Sequence, residues 1–298
     1  MQTGLRLDST DSGGLRQADV EDWTAFQEIF ADAPSPRRWI YRGSRRRGLV
    51  SSLERACRAA AIDLARAPEI ERLLVREFRR NYRGADAAIV ASDTLYCMGL
   101  MRHYGAPTRL LDWTYSPYIA LFFAIKDLEP CDSGAEGDDP VGHLWALDTA
   151  VCREVAESVA EDKPLRRRFE DEGVQDDATF RETYLSRPFR RFVLPENPWT
   201  FHQRHQVQQG VFLCPGDASS SYESNLAALD ERDKDTPCGE RALRRYTIRL
   251  TAEARRVALW QLHRGNITEA SLFPGLDGFA RSLGHRLPFF LQQVEDGR

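Results

Sequence analysis

Apolar positions along the chain switch repeatedly between helical and strand spacing. Val20, Trp23, Phe26, Ile29 and Phe30 recur at three- and four-residue intervals and predict an amphipathic helix over 19–30. Pro34 and Pro36 end it, and Trp39 to Gly43 reads as a short strand leaving at a glycine. Helices are predicted over about 51–64, 68–82 and 92–104, the second with Pro68 in its first turn and the third capped by Gly105. Pro107 prevents continuation. Tyr118 to Ala124 is almost wholly apolar and predicts a buried helix over 118–126. Strands follow at 141–147, 206–213 and 244–250, with helices at 150–160, 176–184 and 251–265, and the segment 272–283 closes the fold. No internal repeat is present. The pattern is that of an α+β fold with a modest sheet.

Two stretches lack the apolar residues needed to pack. Residues 128–140 and 215–239 are rich in Ser, Asp and Gly and read as mobile loops, and residues 1–18 read as a flexible tail. A single domain over 19–290 accommodates the rest. At 298 residues, with 42% hydrophobic and 29% charged residues, the chain can bury a substantial core. The formal charge of −4 excludes a global basic field. Arginine is nevertheless dense at 37–47 and again at Arg72, Arg76, Arg79, Arg80 and Arg83. Both clusters read as solvated faces, or, at helical spacing in the second, as a polyanion groove.

The six cysteines form no C-x-x-C pair and follow no secretory leader, so reduced thiols and a cytoplasmic location are expected. No apolar stretch approaches the roughly 18–20 residues of a membrane span.

The densest polar chemistry lies in His103-Tyr-Gly-Ala-Pro-Thr-Arg-Leu-Leu-Asp-Trp-Thr-Tyr-Ser-Pro, which runs straight into the apolar 118–124 segment. Such a switch describes a site wall pinned to a core. Asp112 and Arg109 are placed to brace the turn as a pair. Ser116 before Pro117 is a helix N-cap, a role compatible with ligand contact. Trp113 either fills core or stacks on a ligand, and His103 is a base, a stacking ring or a helix C-terminal cap. His202 and His205 have helical metal spacing, with Cys214 near in sequence.

This central run resembles the signature of the FRG domain family, with Tyr41-Arg42-Gly43 in place of its Phe-Arg-Gly. Val207 to Leu213 and Ser271 to Gly278 agree in order, so the likeness spans roughly 20–285. The order of an arginine ending an early strand, Thr114-Tyr-Ser116 before a buried helix, and a later strand is also similar to the ADP-ribosyltransferase superfamily. That resemblance implies an ADP-ribosyltransferase-like split sheet and NAD as substrate. It places Arg42 on the pyrophosphate, with Gly43 admitting the ligand to the backbone, and Ser116 orienting a polar side chain or the nicotinamide ribose. His103, Tyr104, Arg109, Trp113 and Thr114 complete the expected cofactor wall. The chain departs from the superfamily in its catalytic glutamate: Gln206, Gln208 and Gln209 stand on the third segment, and Gln208, two before Gly210, is the candidate. The implied function is an NAD-directed transferase or glycohydrolase, a bacterial toxin or antiviral effector with a protein or nucleic-acid acceptor and a regulatory protein partner. An inert nucleotide- or partner-binding module and a nucleic-acid hydrolase using His103 and Asp112 are the alternatives.

Overall fold

Alternation along the strands sorts the apolar side chains onto two faces of one sheet. The computed structural model describes residues 6–8, 16–31, 38–128, 141–159, 176–200, 202–233 and 241–285, with single positions beyond. The strands are β1 (Arg6–Asp8), β2 (Arg16–Val20), β3 (Trp39–Ser44), β4 (Leu111–Thr114), β5 (Val141–Asp148), β6 (Val193–Glu196), β7 (Gly210–Pro215) and β8 (Leu243–Arg249). They are ordered β1-β2-β8-β5-β3-β4-β7-β6. The six from β8 to β6 are antiparallel to their neighbours. β2 joins the outer edge parallel to β8.

On β3, Trp39 and Tyr41 enter one core and Ile40 the other; on β5, Leu144 and Ala146 face the first while Trp145 and Leu147 face the second. Helices cover both cores. α1 (Trp23–Ala31), α6 (Pro117–Ile125) and α11 (Ala252–Arg264) lie over the first. α3 (Ala67–Asn81), α5 (Thr94–His103), α7 (Thr149–Val159), α8 (Asp177–Leu185) and α10 (Tyr222–Asp233) lie over the second. The short helices α2 (Ser52–Ala59), α4 (Ala87–Ser92), α9 (Gln203–Val207) and α12 (Glu269–Leu272), with α13 (Leu276–His285), flank these layers. The chain is therefore α+β, as its patterning predicts.

The sheet is weakly joined at its centre. β3 pairs with β5 from Trp39 to Ser44 but meets β4 through the single pair Tyr41–Thr114. Where the two strands part, the Asp112 carbonyl accepts a hydrogen bond from the Arg42 guanidinium instead of from a strand amide. A side chain thus supplies the donor that the ladder lacks.

α6 follows from its sequence. Ser116 accepts from the Ile119 amide at 3.3 Å as N-cap, and Pro117 occupies the first turn, where its missing N–H costs nothing. Ile119 to Phe122, Ala124 and Ile125 are buried because it lies directly on β3 and β5, while Tyr118 is exposed and Phe123 half-buried. A Cβ added at Gly43 would stand 1.7 Å from the Ala120 carbonyl oxygen, and one at Gly142 would stand 2.6 Å from that of Ala124. Gly43 is thus required by helix–strand contact, which corrects its assignment to ligand approach.

Several boundaries differ from the sequence reading. Residues 16–20 are a strand, so the helix expected from 19 begins at Trp23, and part of the expected tail is sheet. The helix read as 51–64 stops at Ala59 and is followed by a 3₁₀ turn at Leu64–Arg66. The one expected over 92–104 begins at Thr94, because Asp93 caps it by accepting from Tyr96 N–H. The stretch 215–239 is not all loop: Tyr222–Asp233 is helical and buries Tyr222, Leu226 and Leu229. Its polar lead-in is satisfied internally, Asp217 accepting from Ser219 and Ser220 while the Asn225 amide bonds Asp217 O. Residues 129–140 and 234–239 of the two expected loops lie outside the described residues. Cys57, Cys97, Cys152 and Cys214 are free and buried, and no described helix is long and apolar enough to cross a membrane.

Candidate functional site

Beside the weak join between β3 and β4 lies a cleft of about 160 Å³. α5 supplies Tyr96, Gly99, Arg102 and His103; β4 supplies Asp112; α9 and its flanks supply His202, Arg204, His205 and Gln208; and β7 supplies Phe212. Asp112 and Phe212 are opposite one another in the β4–β7 ladder and form the floor. Gly210 lets the His205 ring lie over β7, since a Cβ there would stand 2.7 Å from Nδ1. The ring then packs on Phe212 with centroids 4.4 Å apart.

Asp112 is the only carboxylate among the cleft's lining residues. Arg102 holds one of its oxygens with two donors, Nε at 2.9 Å and Nη2 at 2.6 Å. Burial raises the Asp112 pKa, but the charge and hydrogen bond of Arg102, with Arg42 and Arg204, outweigh it and leave the group below its ordinary value. Its side chain is about half exposed within the concavity (48%), so solvent and ligands reach it. Arg55 adds a further charge at Arg102 and Arg42. Four guanidinium groups thus surround the one carboxylate that lines the cleft, with Glu54 near Arg55 and Glu269 near Arg204 as further counter-charges, and the remaining surplus favours an anion. Burial lowers the Arg42 and Arg204 pKa values, as expected for cations lacking full compensation. Arg204 stacks over Phe273 at 4.3 Å, which fixes its plane.

His103 and His202 face each other with ring centroids 4.2 Å apart. The His103 Nδ1 is buried without a hydrogen-bond partner. Burial, then His202 and Arg204, lowers its pKa below the ordinary imidazole value and favours the neutral ring. His205 is lowered to about 4, chiefly by burial. His143 on β5 is likewise lowered to about 4, by burial and then Arg245.

Both rings stay neutral in the folded protein at pH values where the unfolded chain protonates them. The stability they contribute is present above about pH 6.5 and is lost as pH falls toward about 4. The melting temperature should drop across that window, and His143→Gln with His205→Gln should flatten the drop. An unchanged pH profile in that double variant would contradict the burial of these rings.

The cleft gathers only some of the residues singled out from sequence. His103 and Gln208 line it. Gln208 is not on a strand: α9 ends at Val207, Gln208 and Gln209 form a turn with Gln209 at φ 46°, and β7 starts at Gly210. His202 caps α9, which draws Gln206 and Val207 into a helical turn whose side chains are exposed. The Gln208 amide donates to Leu272 O at 3.0 Å. Arg42 stands behind Asp112, bonded to its carbonyl. Thr114 is buried, its hydroxyl donating to Gln208 O at 2.7 Å, so it fastens the turn that carries Gln208. Tyr104 is on the surface at 63% exposure, against His103 and Phe78. Trp113 is core.

Arg109 does not line this cleft. It is buried and paired with Glu71, not Asp112, so the expected Arg109–Asp112 brace is replaced by Arg102–Asp112 and Arg109–Glu71. Among the described residues, no group of three or more His, Cys, Asp or Glu side chains could hold a metal. His202 and His205 line the cleft wall. Arg102, Arg204, Tyr96 and Phe212 were not anticipated as site residues, although Arg102-His103 at a helix end and the His202-x-Arg204-His205 run mark two of the cleft's walls.

Residues 37–133 match the FRG domain family model. The match takes in β3 with Tyr41-Arg42-Gly43, α5, β4 and α6, and hence one wall of the cleft and its floor carboxylate. The other wall, 198–212, lies beyond it. No curated protein and no solved structure matches the chain.

Proposed function

We propose that the chain is an NAD-directed protein of ADP-ribosyltransferase-like organisation that holds the phosphate-bearing part of the nucleotide in this cleft. The observation carrying the reading is the cationic surplus around Asp112 in a concave site beside a parted sheet. A planar guanidinium binds phosphate oxygens bidentately, and Arg204, oriented on Phe273, offers such a fork. Gln208 keeps its amide oxygen as an acceptor for a ribose hydroxyl, its nitrogen being committed to Leu272. Nicotinamide would leave with the electrons of its bond to C1′, and water or an acceptor nucleophile would attack C1′ and lose a proton. The unpartnered nitrogen of His103 suits that proton. A cytoplasmic toxin or antiviral effector is the setting this activity would fit.

A second reading, an inert nucleotide-binding module, is favoured by one observation. The only carboxylate of the cleft wall is already held by Arg102, so no free anion faces a developing oxocarbenium ion.

Calorimetric titration with NAD and ADP-ribose, alongside an assay of released nicotinamide, separates the readings. Arg204→Met should weaken binding about tenfold or more, because a charge-assisted hydrogen bond contributes roughly 1.5–3 kcal/mol. Gln208→Ala should abolish nicotinamide release while leaving binding within a few-fold, and Gln208→Glu should hold or raise the rate. Binding without release by the unaltered chain would establish the module. No binding of either ligand at millimolar concentration would remove both readings.

A further inference from the structure

A second concave surface lies away from the cleft, between α3 and α8. It is a groove of about 560 Å³ lined by Arg72, Arg76, Arg79, Arg80 and Arg181, with Thr94 and Ser186 among its other polar members. Arg72, Arg76 and Arg80 recur every fourth residue and so stand about 6 Å apart along one face of α3, a row of about 12 Å. All three are exposed, as is Arg181 opposite them on α8. Arg79 forms a fixed floor, donating to Val90 O at 2.9 Å and to the Thr94 hydroxyl at 3.0 Å.

The carboxylates nearby do not cancel this charge. Glu71 is consumed by Arg109 in the buried pair. Glu77 lies 3.5 Å from Arg76 and 3.3 Å from Arg80, and Asp177 lies 3.8 Å from Arg181 while capping the Thr94 amide. With Asp93 beside Arg79 included, cations outnumber carboxylates in and under the groove six to four. Arg72 has no ion-pair partner among the described residues.

We propose that this groove binds the phosphate backbone of a single-stranded nucleic acid. A compact anion cannot reach three guanidinium groups spread along two turns of helix, whereas an extended polyanion can touch them in succession. Every cation here is an arginine, whose fork matches phosphate oxygens better than a lysine would. Among the described lining residues none is aromatic, so the contacts run to phosphate and carry no sequence information. The groove and the cleft share α5, with Thr94 at its start and Gly99 to His103 further along. The proposal does not depend on the identity of the cleft's ligand.

Fluorescence anisotropy with an end-labelled, mixed-sequence DNA strand of about 20 nucleotides, across 50–200 mM salt, tests it. The full chain should bind with strongly salt-dependent affinity. Arg72→Ala/Arg76→Ala/Arg80→Ala, all at exposed positions, should weaken binding tenfold or more at the lower salt. Its log–log salt slope should shrink by about 2, the loss of three single-strand phosphate contacts. Arg45→Ala/Arg46→Ala/Arg47→Ala, which removes the other exposed arginine cluster, should leave affinity within twofold. Absence of salt-dependent binding, equal losses in the two variants, or displacement by polyglutamate as effective as by unlabelled strand would each overturn the proposal.

Discussion

Arg109→Met is expected to cost about 3–5 kcal/mol of stability, because it strands a carboxylate in the core. Arg109 and Glu71 are each 1% exposed, the most deeply buried ion pair described. Glu71 accepts from the Arg109 amide at 2.8 Å and from Nε at 2.6 Å, and Nη2 lies 2.6 Å from the same oxygen as Nε without a hydrogen bond's alignment. Nη1 donates to Tyr184 O at 2.9 Å, so the guanidinium also joins the loop before β4 to α8. Burial would lower the Arg109 pKa, but Glu71 outweighs it and raises the group above its ordinary value. The charge therefore persists at any accessible pH. Domains retain only about 5–15 kcal/mol in total, so the variant should sit near the edge of folding. Urea denaturation should show a lower midpoint with the slope unchanged. Arg109→Met/Glu71→Met should recover much of the loss, since two apolar groups leave no orphaned charge. A midpoint unchanged in the single variant would mean that water reaches the pair.

The same arginine shows where sequence reading reaches its limit. Arg109 and Asp112 are three residues apart, and proximity invites pairing. Their partners, Glu71 on α3 and Arg102 on α5, are chosen by how those helices cross the start of β4, which no local pattern encodes. Features set by adjacent residues were legible. Ser116 with Pro117 announced the cap of α6, and period-two alternation announced β8. The turn at Gln208 was not legible, because 206–213 alternates acceptably as a strand until His202 claims its first residues for a helical turn. The cleft itself was half visible. His103 and Gln208 were singled out, whereas Arg102 and Arg204 gain meaning only when β4 and β7 bring α5 and α9 to opposite sides of Asp112.

This division matters for the function. Family resemblance identified the segment that carries the floor carboxylate and α5, and the FRG match covers the same residues. The residue that makes the cleft cationic on its far side, Arg204, comes from outside that match. On the proposed reading, ligand choice would rest in part on a wall that the matched segment does not supply, which makes Arg204→Met the more telling substitution for binding.

Gly43→Ala should destabilise the protein by about 3 kcal/mol, the upper end of what overpacking usually costs. The new methyl would stand 1.7 Å from the Ala120 carbonyl oxygen and 2.7 Å from the Ala124 amide nitrogen. Both obstacles are backbone atoms of α6, so no side-chain rotation relieves the clash and the helix as a whole must move off the sheet. Gly142→Ala, where the nearest obstacle is the Ala124 carbonyl oxygen at 2.6 Å, should cost less. Gly105→Ala meets no atom within 4 Å, and its cost should reflect only its φ of +84°. Thermal and urea unfolding should rank the three with Gly43→Ala as the least stable. Lifting α6 also disturbs Ser116 at its cap and the Tyr41–Thr114 pair that joins β3 to β4, so any NAD affinity should fall along with stability. A Gly43→Ala protein as stable as wild type but unable to bind nucleotide would reverse this assignment, and would place the glycine against ligand and not against α6.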